Sequence, residues 1–241
     1  MRVAAPRLRP LIRGMSALCA AVLVVWGTTA TVGAVGSSTH SLAGYVAGGT
    51  GTAFMSFTVP KVTCARSGAG GISLGVATAD LGGNSVEAVI AVGCRTSTAP
   101  PTYEAEAAVR CSGIPGTYPM FAVRPGHRIN VTSVSQKKNT TATVWDVTTV
   151  HGSTKQSCPT RMNAAIYGMF CPIGWTGQAT GSPSCGLVPK FADVEFTNAS
   201  LNGRPLDSFA PTTYTLNAAT EQITPSHLNP TGDDFTDTDN S

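Results

Sequence analysis

Apolar stretches of strand length recur along this chain, each bounded by turn residues. Phe54 to Val59 runs into Pro60, and Ile72 to Ala77 follows Gly70-Gly71. Val86 to Val92 lies between Gly83-Asn84 and Gly93, and Tyr103 to Val109 follows Pro100-Pro101. Ile129, Val131 and Val134 come after a Pro125-Gly126 turn, and Trp145, Val147 and Thr149 alternate in the segment from Thr143. That last spacing predicts a half-buried strand. Ala164 to Phe170 and Phe191 to Phe196 are the last clear runs. No stretch carries the 3.6-residue period of an amphipathic helix. Closely spaced strands without helices predict an all-β chain, a two-sheet antiparallel β-sandwich or jelly roll. Gly48-Gly49-Thr50-Gly51 reads as a hairpin turn, since a phosphate loop would need Lys and Ser or Thr leading a helix. Residues 174–186 read as a long Gly/Ser/Thr-rich loop between Cys171 and Cys185.

The two ends depart from this pattern. Arg2, Arg7, Arg9 and Arg13 precede an apolar stretch from Met15 to Val25, and small residues follow to Ala34-Val35-Gly36. A basic start, a short apolar core and a small-x-small end are the parts of a secretory leader. The run is short for a membrane span, which needs roughly 20 apolar residues. Residues 1–36 are therefore expected to be a signal peptide cut near Gly36, or at Ala34, leaving a secreted protein with no membrane segment. At the other end, the strand pattern fades after Phe209. Asp233, Asp234, Asp237 and Asp239 crowd the last nine residues. Residues 210–241 are expected to be a loose extension ending in a disordered acidic tail, which leaves residues 37–209 as the folded domain.

Charge and cysteines follow from the leader. The chain has 16 basic and 13 acidic residues, a net +3. Without the four leader arginines the count is 12 against 13, a net −1, which removes any case for nucleic-acid binding. Cys19 departs too, leaving Cys64, Cys94, Cys111, Cys158, Cys171 and Cys185. Six cysteines in an exported chain predict three disulfides, with 15 pairings open. No C-x-x-C pair exists and the four His are scattered, so neither a metal nor a cofactor is expected.

Several stretches, in order, resemble the glutamic endopeptidases (eqolisins, peptidase family G1). Ala43-Gly44-Tyr45-Val46 resembles the family's W-x-G-Y element, and Phe57-Thr58-Val59-Pro60 its "f-x-VP" strand end. Ile72-Ser73-Leu74-Gly75-Val76 resembles W-x-G-I-D-G, Ser85 to Gly93 the strand ending Q-x-G, and Tyr103-Glu104-Ala105 the Y-x-A-W element. Val123 to Ile129 resembles "v-x-PGD-x-I", and Phe191 to Phe196 the closing "f-x-x-v-x-F" strand. The resemblance covers residues 42–209 and implies a concanavalin A-like, lectin-like sandwich.

It also implies a site from which the chemistry is missing. In the family a Glu acts as general base and acid on water, while a Gln helps hold the tetrahedral intermediate. The aligned positions here are Ala91 for the Gln and Phe170 for the Glu, and neither side chain exchanges a proton. The Trp positions fall on Leu42, Ser73 and Glu106, and the Asp of G-I-D-G on Ala77. No Gln or Glu lies between Ala164 and Phe170, so a register slip restores nothing.

Other carboxyls remain. Glu87 shares strand parity with Ala91, and Glu104 and Glu106 share parity on the next strand. Paired carboxyls can divide acid and base roles, although glutamates are ordinarily solvated. There is no G-x-S-x-G elbow. His127 and His151 would need a Ser and an Asp brought to them by the fold. Three functions follow: a non-catalytic secreted binder of an extracellular peptide or glycan, a hydrolase working through Glu87, Glu104 or Glu106, or a structural protein of the cell exterior.

Overall fold

The computed structural model describes residues 42–64, 70–80, 84–111, 114–136, 140–157, 162–170, 188–217 and 222–240. The leader, the 174–186 loop, Cys158, Cys171, Cys185 and the side chain of Cys111 fall outside this description.

The strands in chain order begin with β1 (Leu42–Gly48), β2 (Thr52–Thr58), β3 (Val62–Thr63), β4 (Gly70–Ala79), β5 (Ser85–Cys94) and β6 (Thr102–Cys111). β7 (Ile114–Ala122), β8 (Arg128–Ser135), β9 (Thr140–Asp146), β10 (His151–Ser157), β11 (Ala164–Phe170) and β12 (Lys190–Phe191) follow. The last are β13 (Val194–Leu201), β14 (Arg204–Pro205), β15 (Thr212–Tyr214), β16 (Leu216–Asn217), β17 (Gln222–Pro225) and β18 (Phe235–Asp239). One 3-10 turn, Leu206–Phe209, interrupts them, and no α-helix occurs among the described residues. One antiparallel sheet runs β15-β1-β11-β4-β5-β6-β7, and a nine-stranded one runs β10-β9-β8-β2-β13-β18-β17-β16 with β14 beside β13. This is the expected two-sheet sandwich.

The sheets differ in a way the sequence explains. β8 alternates strictly, with Ile129, Val131 and Ser133 inward and Asn130 and Thr132 outward. Its sheet has one packed and one wet face. β4, β5 and β11 are apolar or small at nearly every position and buried at nearly every position. These three central strands of the seven-stranded sheet thus show little exposure on either face. Its inner face (Ile72, Leu74, Val76, Ile90, Tyr167, Met169) meets Met55, Phe57, Ile129 and Phe196 of the other sheet in the main core. Each such side chain contributes roughly 1.5–3 kcal/mol by leaving water. Phe196 lies between Phe57 and Phe235, with ring centroids 5.5 and 5.0 Å away. A disulfide, Cys64–Cys94, ties the end of β5 to the segment after β3, as an oxidising compartment permits.

Three expectations need correcting. Gly48–Gly51 is not a hairpin turn: β1 and β2 lie in different sheets, and the glycines carry the chain across the sandwich, where Asn202 holds them through Thr50 and Thr52. Trp145 and Val147 do not face the core. β9 turns Ala142, Val144 and Asp146 inward, while the Trp145 ring lies outside over Gly152 of β10. The chain after Phe209 is not a loose extension. β15 pairs with β1, and β18 lies between β13 and β17. Phe235 enters the core and Asp237 is fully buried beside it, so the crowd of aspartates belongs to a strand paired on both sides and to the turn before it rather than to a tail. Asn229 binds the Asp233 and Asp234 backbone amides and the Asp234 carboxylate, closing that turn.

Candidate functional site

Strand register sets out the outer face of the seven-stranded sheet as parallel rows. One row reads Leu42 (β1), Phe170 (β11), Ser73 (β4), Ala91 (β5), Glu104 (β6). The two positions to which the resemblance assigns the dyad thus lie level on this face, about 10 Å apart with one strand between them. All three Trp-equivalent positions, Leu42, Ser73 and Glu106, open on it too. No proton-exchanging side chain stands between Phe170 and Ala91.

The next row reads Tyr214, Gly44, Gly168, Gly75, Val89, Glu106. Its glycines carry no side chain onto the face, leaving a band of bare backbone across three strands. Gly44 and Gly168 have φ of +131° and +125°, and a Cβ at Gly168 would fall on the backbone oxygen of Ala43. Glycine is required there by close strand approach. The row after that reads Val46, Ile166, Ala77, Glu87, Ala108. Leu42, Val46, Ala77, Val89, Ile166 and Phe170 gather into a second apolar cluster, separate from the core, with Tyr214 at its edge.

The apolar floor ends in carboxyls at β5 and β6. Glu87 and Glu106 are diagonal neighbours on adjacent strands, each only 5% exposed, so the solvated state usual for glutamate does not hold for them. Ala77 and Ala108 are the direct cross-strand partners of Glu87 and set only methyl groups beside it. Glu104 is exposed, as expected. The Ser85 hydroxyl donates to Glu87 Oε1 at 3.3 Å, and Oε2 has no partner. Burial lifts the Glu87 carboxyl to about 8; Ser85 and Arg110 oppose the shift and Glu106 adds to it. Burial, then the charge and hydrogen bonding of Glu104, lift Glu106 to about 7. Ala77, which the resemblance aligns with the family's Asp, is paired directly with Glu87 on the next strand.

The other candidates do not join this site. His127 Nδ1 lies 2.6 Å from Asp146 Oδ2, on the far sheet. The Thr149 hydroxyl and the Thr148 and Thr149 amides also bind Asp146. Burial pushes that carboxyl up, but these bonds outweigh it and hold it below its ordinary value. The pair clamps a turn, with Thr149 bonded to Asp146 rather than to the imidazole. His151 stands edge-on to Phe121. A cleft of about 450 Å³ opens beside Arg128, Asp193 and Glu195, all exposed, on the nine-stranded sheet away from the family-like face. Among the described residues no cluster of His, Cys, Asp and Glu has the form of a metal site.

Two features were missed in the sequence, although each left a signal. Gly168 interrupts an otherwise apolar strand, a mark of close backbone approach. Asp237 is two residues from Phe235 and shares its inward parity.

No protein-family model matches the chain, and comparison with curated proteins by sequence finds no match. Comparison of folds does. A scytalido-glutamic peptidase bound to a transition-state analogue inhibitor superposes with a TM-score of 0.59 and 15% identity, over 83% of this chain and 98% of that one. A member of the eqolisin family in complex with the tripeptide Ala-Ile-His gives 0.55 and 15%, over 83% and 98%. Aspergilloglutamic peptidase from Aspergillus niger gives 0.51 and 17%, over 72% and 99%. The chain has the glutamic-peptidase fold.

Proposed function

We propose that this is a secreted, catalytically silent relative of the glutamic peptidases that binds an extended peptide across the outer face of its seven-stranded sheet. The row Leu42–Phe170–Ser73–Ala91–Glu104 carries the reading: the dyad-equivalent positions share a face and a level, and hold a phenyl ring and a methyl group. An apolar floor crossed by bare glycine backbone suits a main chain lying close to the sheet. It suits a glycan less, because sugar rings are held by aromatic faces and, with Leu42, Ser73 and Glu106 at the Trp positions, Phe170 and Tyr214 are the aromatic side chains in the described rows of this face. The Cys64–Cys94 disulfide and the leader-like residues 1–36 support export.

The raised carboxyls of Glu87 and Glu106 support a second reading, a hydrolase with a displaced site. One assay separates the two. Mature protein is incubated with denatured casein between pH 3 and 8, alongside Glu87→Gln and Glu106→Gln. Binding without cleavage is expected; cleavage that disappears in either variant establishes the second reading.

A further inference from the structure

Building on that peptide-binding face, we propose that Glu87 and Glu106 form a subsite for a cationic side chain, lysine or arginine, of the bound peptide. Glu87 is 95% shielded, yet its Oε2 has no hydrogen-bond partner. A buried oxygen without a donor is costly, and a ligand that brings a donor removes that cost. The flanking residues Ala77 and Ala108 carry no side-chain donor that could satisfy it.

Charge complementarity selects the ligand. The groups facing Glu87 are Ser85 on its own strand and Glu106 and Arg110 on β6, and Glu104 in turn faces Glu106. β4 presents Ser73, Gly75, Ala77 and Ala79, all uncharged, and β7 sets Pro119 and Ala122 against Glu106 and Glu104. Three carboxyls against one guanidinium leave negative charge in excess once they ionise. An ammonium or guanidinium entering between Glu87 and Glu106 balances it, and the carboxyls release protons as it does so. The apolar run from Val46 and Ile166 to Val89 holds the neighbouring side chains of the same peptide. A basic residue flanked by aliphatic ones is therefore the favoured sequence.

Fluorescence polarisation with two labelled pentapeptides tests this. One is Ala-Val-Lys-Val-Ala; the other has norleucine in place of the lysine, with the same stem and no charge. The lysine peptide is expected to bind at least about tenfold tighter at pH 8. Its advantage should shrink toward pH 5, by up to about tenfold per pH unit for each proton displaced. In Glu87→Gln the two peptides should bind alike, with circular dichroism reporting the fold. Equal binding by the native protein at every pH, or a lysine advantage that survives in Glu87→Gln, overturns the subsite while leaving the peptide-binding reading in place. Failure of both peptides to bind overturns that reading. If Glu87→Gln does not fold, the native pH series decides: a constant lysine-to-norleucine ratio contradicts the proposal.

Discussion

At the scale of single residues, glycine and glutamate shape the outer face. Gly168 stands where any Cβ would meet the Ala43 backbone, at a φ of +125°. Gly168→Ala is expected to lower stability by about 3 kcal/mol or more, the strain of that conformation plus strand separation. Gly203 is also left-handed, φ +72°, but has open space around it. Gly203→Ala should cost only about 1 kcal/mol. Urea unfolding of both variants measures the difference; equal losses would show that the glycine row is not a close contact. In the sequence, the strand parity of Glu87, Glu104 and Glu106 was legible from even spacing. The burial of Glu87 and Glu106 was not, because parity tells which face a side chain takes and not how much water reaches it.

At the scale of elements, the seven-stranded sheet was the most legible part of the chain. β4, β5 and β11 are continuous apolar runs bounded by turns, the form a strand takes when buried on both faces. The strands that sequence missed break that form. β7 contains Pro115 and Pro119, and β10 (His151–Ser157) has few apolar residues; both are edge strands, where proline and polar residues are tolerated. β18 was hidden by its aspartates. Its packing predicts that removing residues 233–241 unfolds the domain, because Phe235 leaves the aromatic stack and both β13 and β17 lose the strand that joins them. Limited proteolysis and thermal melting of the truncated protein check this. A melting temperature within a few degrees of the parent would restore the picture of a dispensable tail.

At the scale of the whole molecule, buried carboxyls set the pH at which the fold is most secure. Burial raises Glu87 to about 8 and Glu106 to about 7, and holds Asp237 well above its ordinary value, with the Met169 backbone offsetting little of that. Tyr45 faces Asp237, and Glu104 and Arg110 face the other two. The folded state therefore keeps protons that the unfolded state releases above about pH 4.5. Stability is full below that point and declines as pH rises, by roughly 1.4 kcal/mol per pH unit for each group until its folded value is reached. Asp146 is held low, so its contribution acts the other way and is lost only in stronger acid. Urea midpoints should peak near pH 4–5 and fall by pH 7.5; a midpoint that rises from pH 5 to 7.5 would mean these carboxyls are ionised in the fold.

The family's fold was readable in spaced motifs because those motifs are turns, close approaches and core positions. The site that the resemblance implies was readable only as a set of departures from the family pattern, Ala91 and Phe170 foremost. The most direct measurement of what this face does is mass spectrometry of a peptide mixture incubated with the mature protein at pH 5, separating retained from released molecules. The account predicts that retained peptides are intact and the released pool unchanged. New fragments that accumulate with time, and vanish in Glu106→Gln, would contradict it.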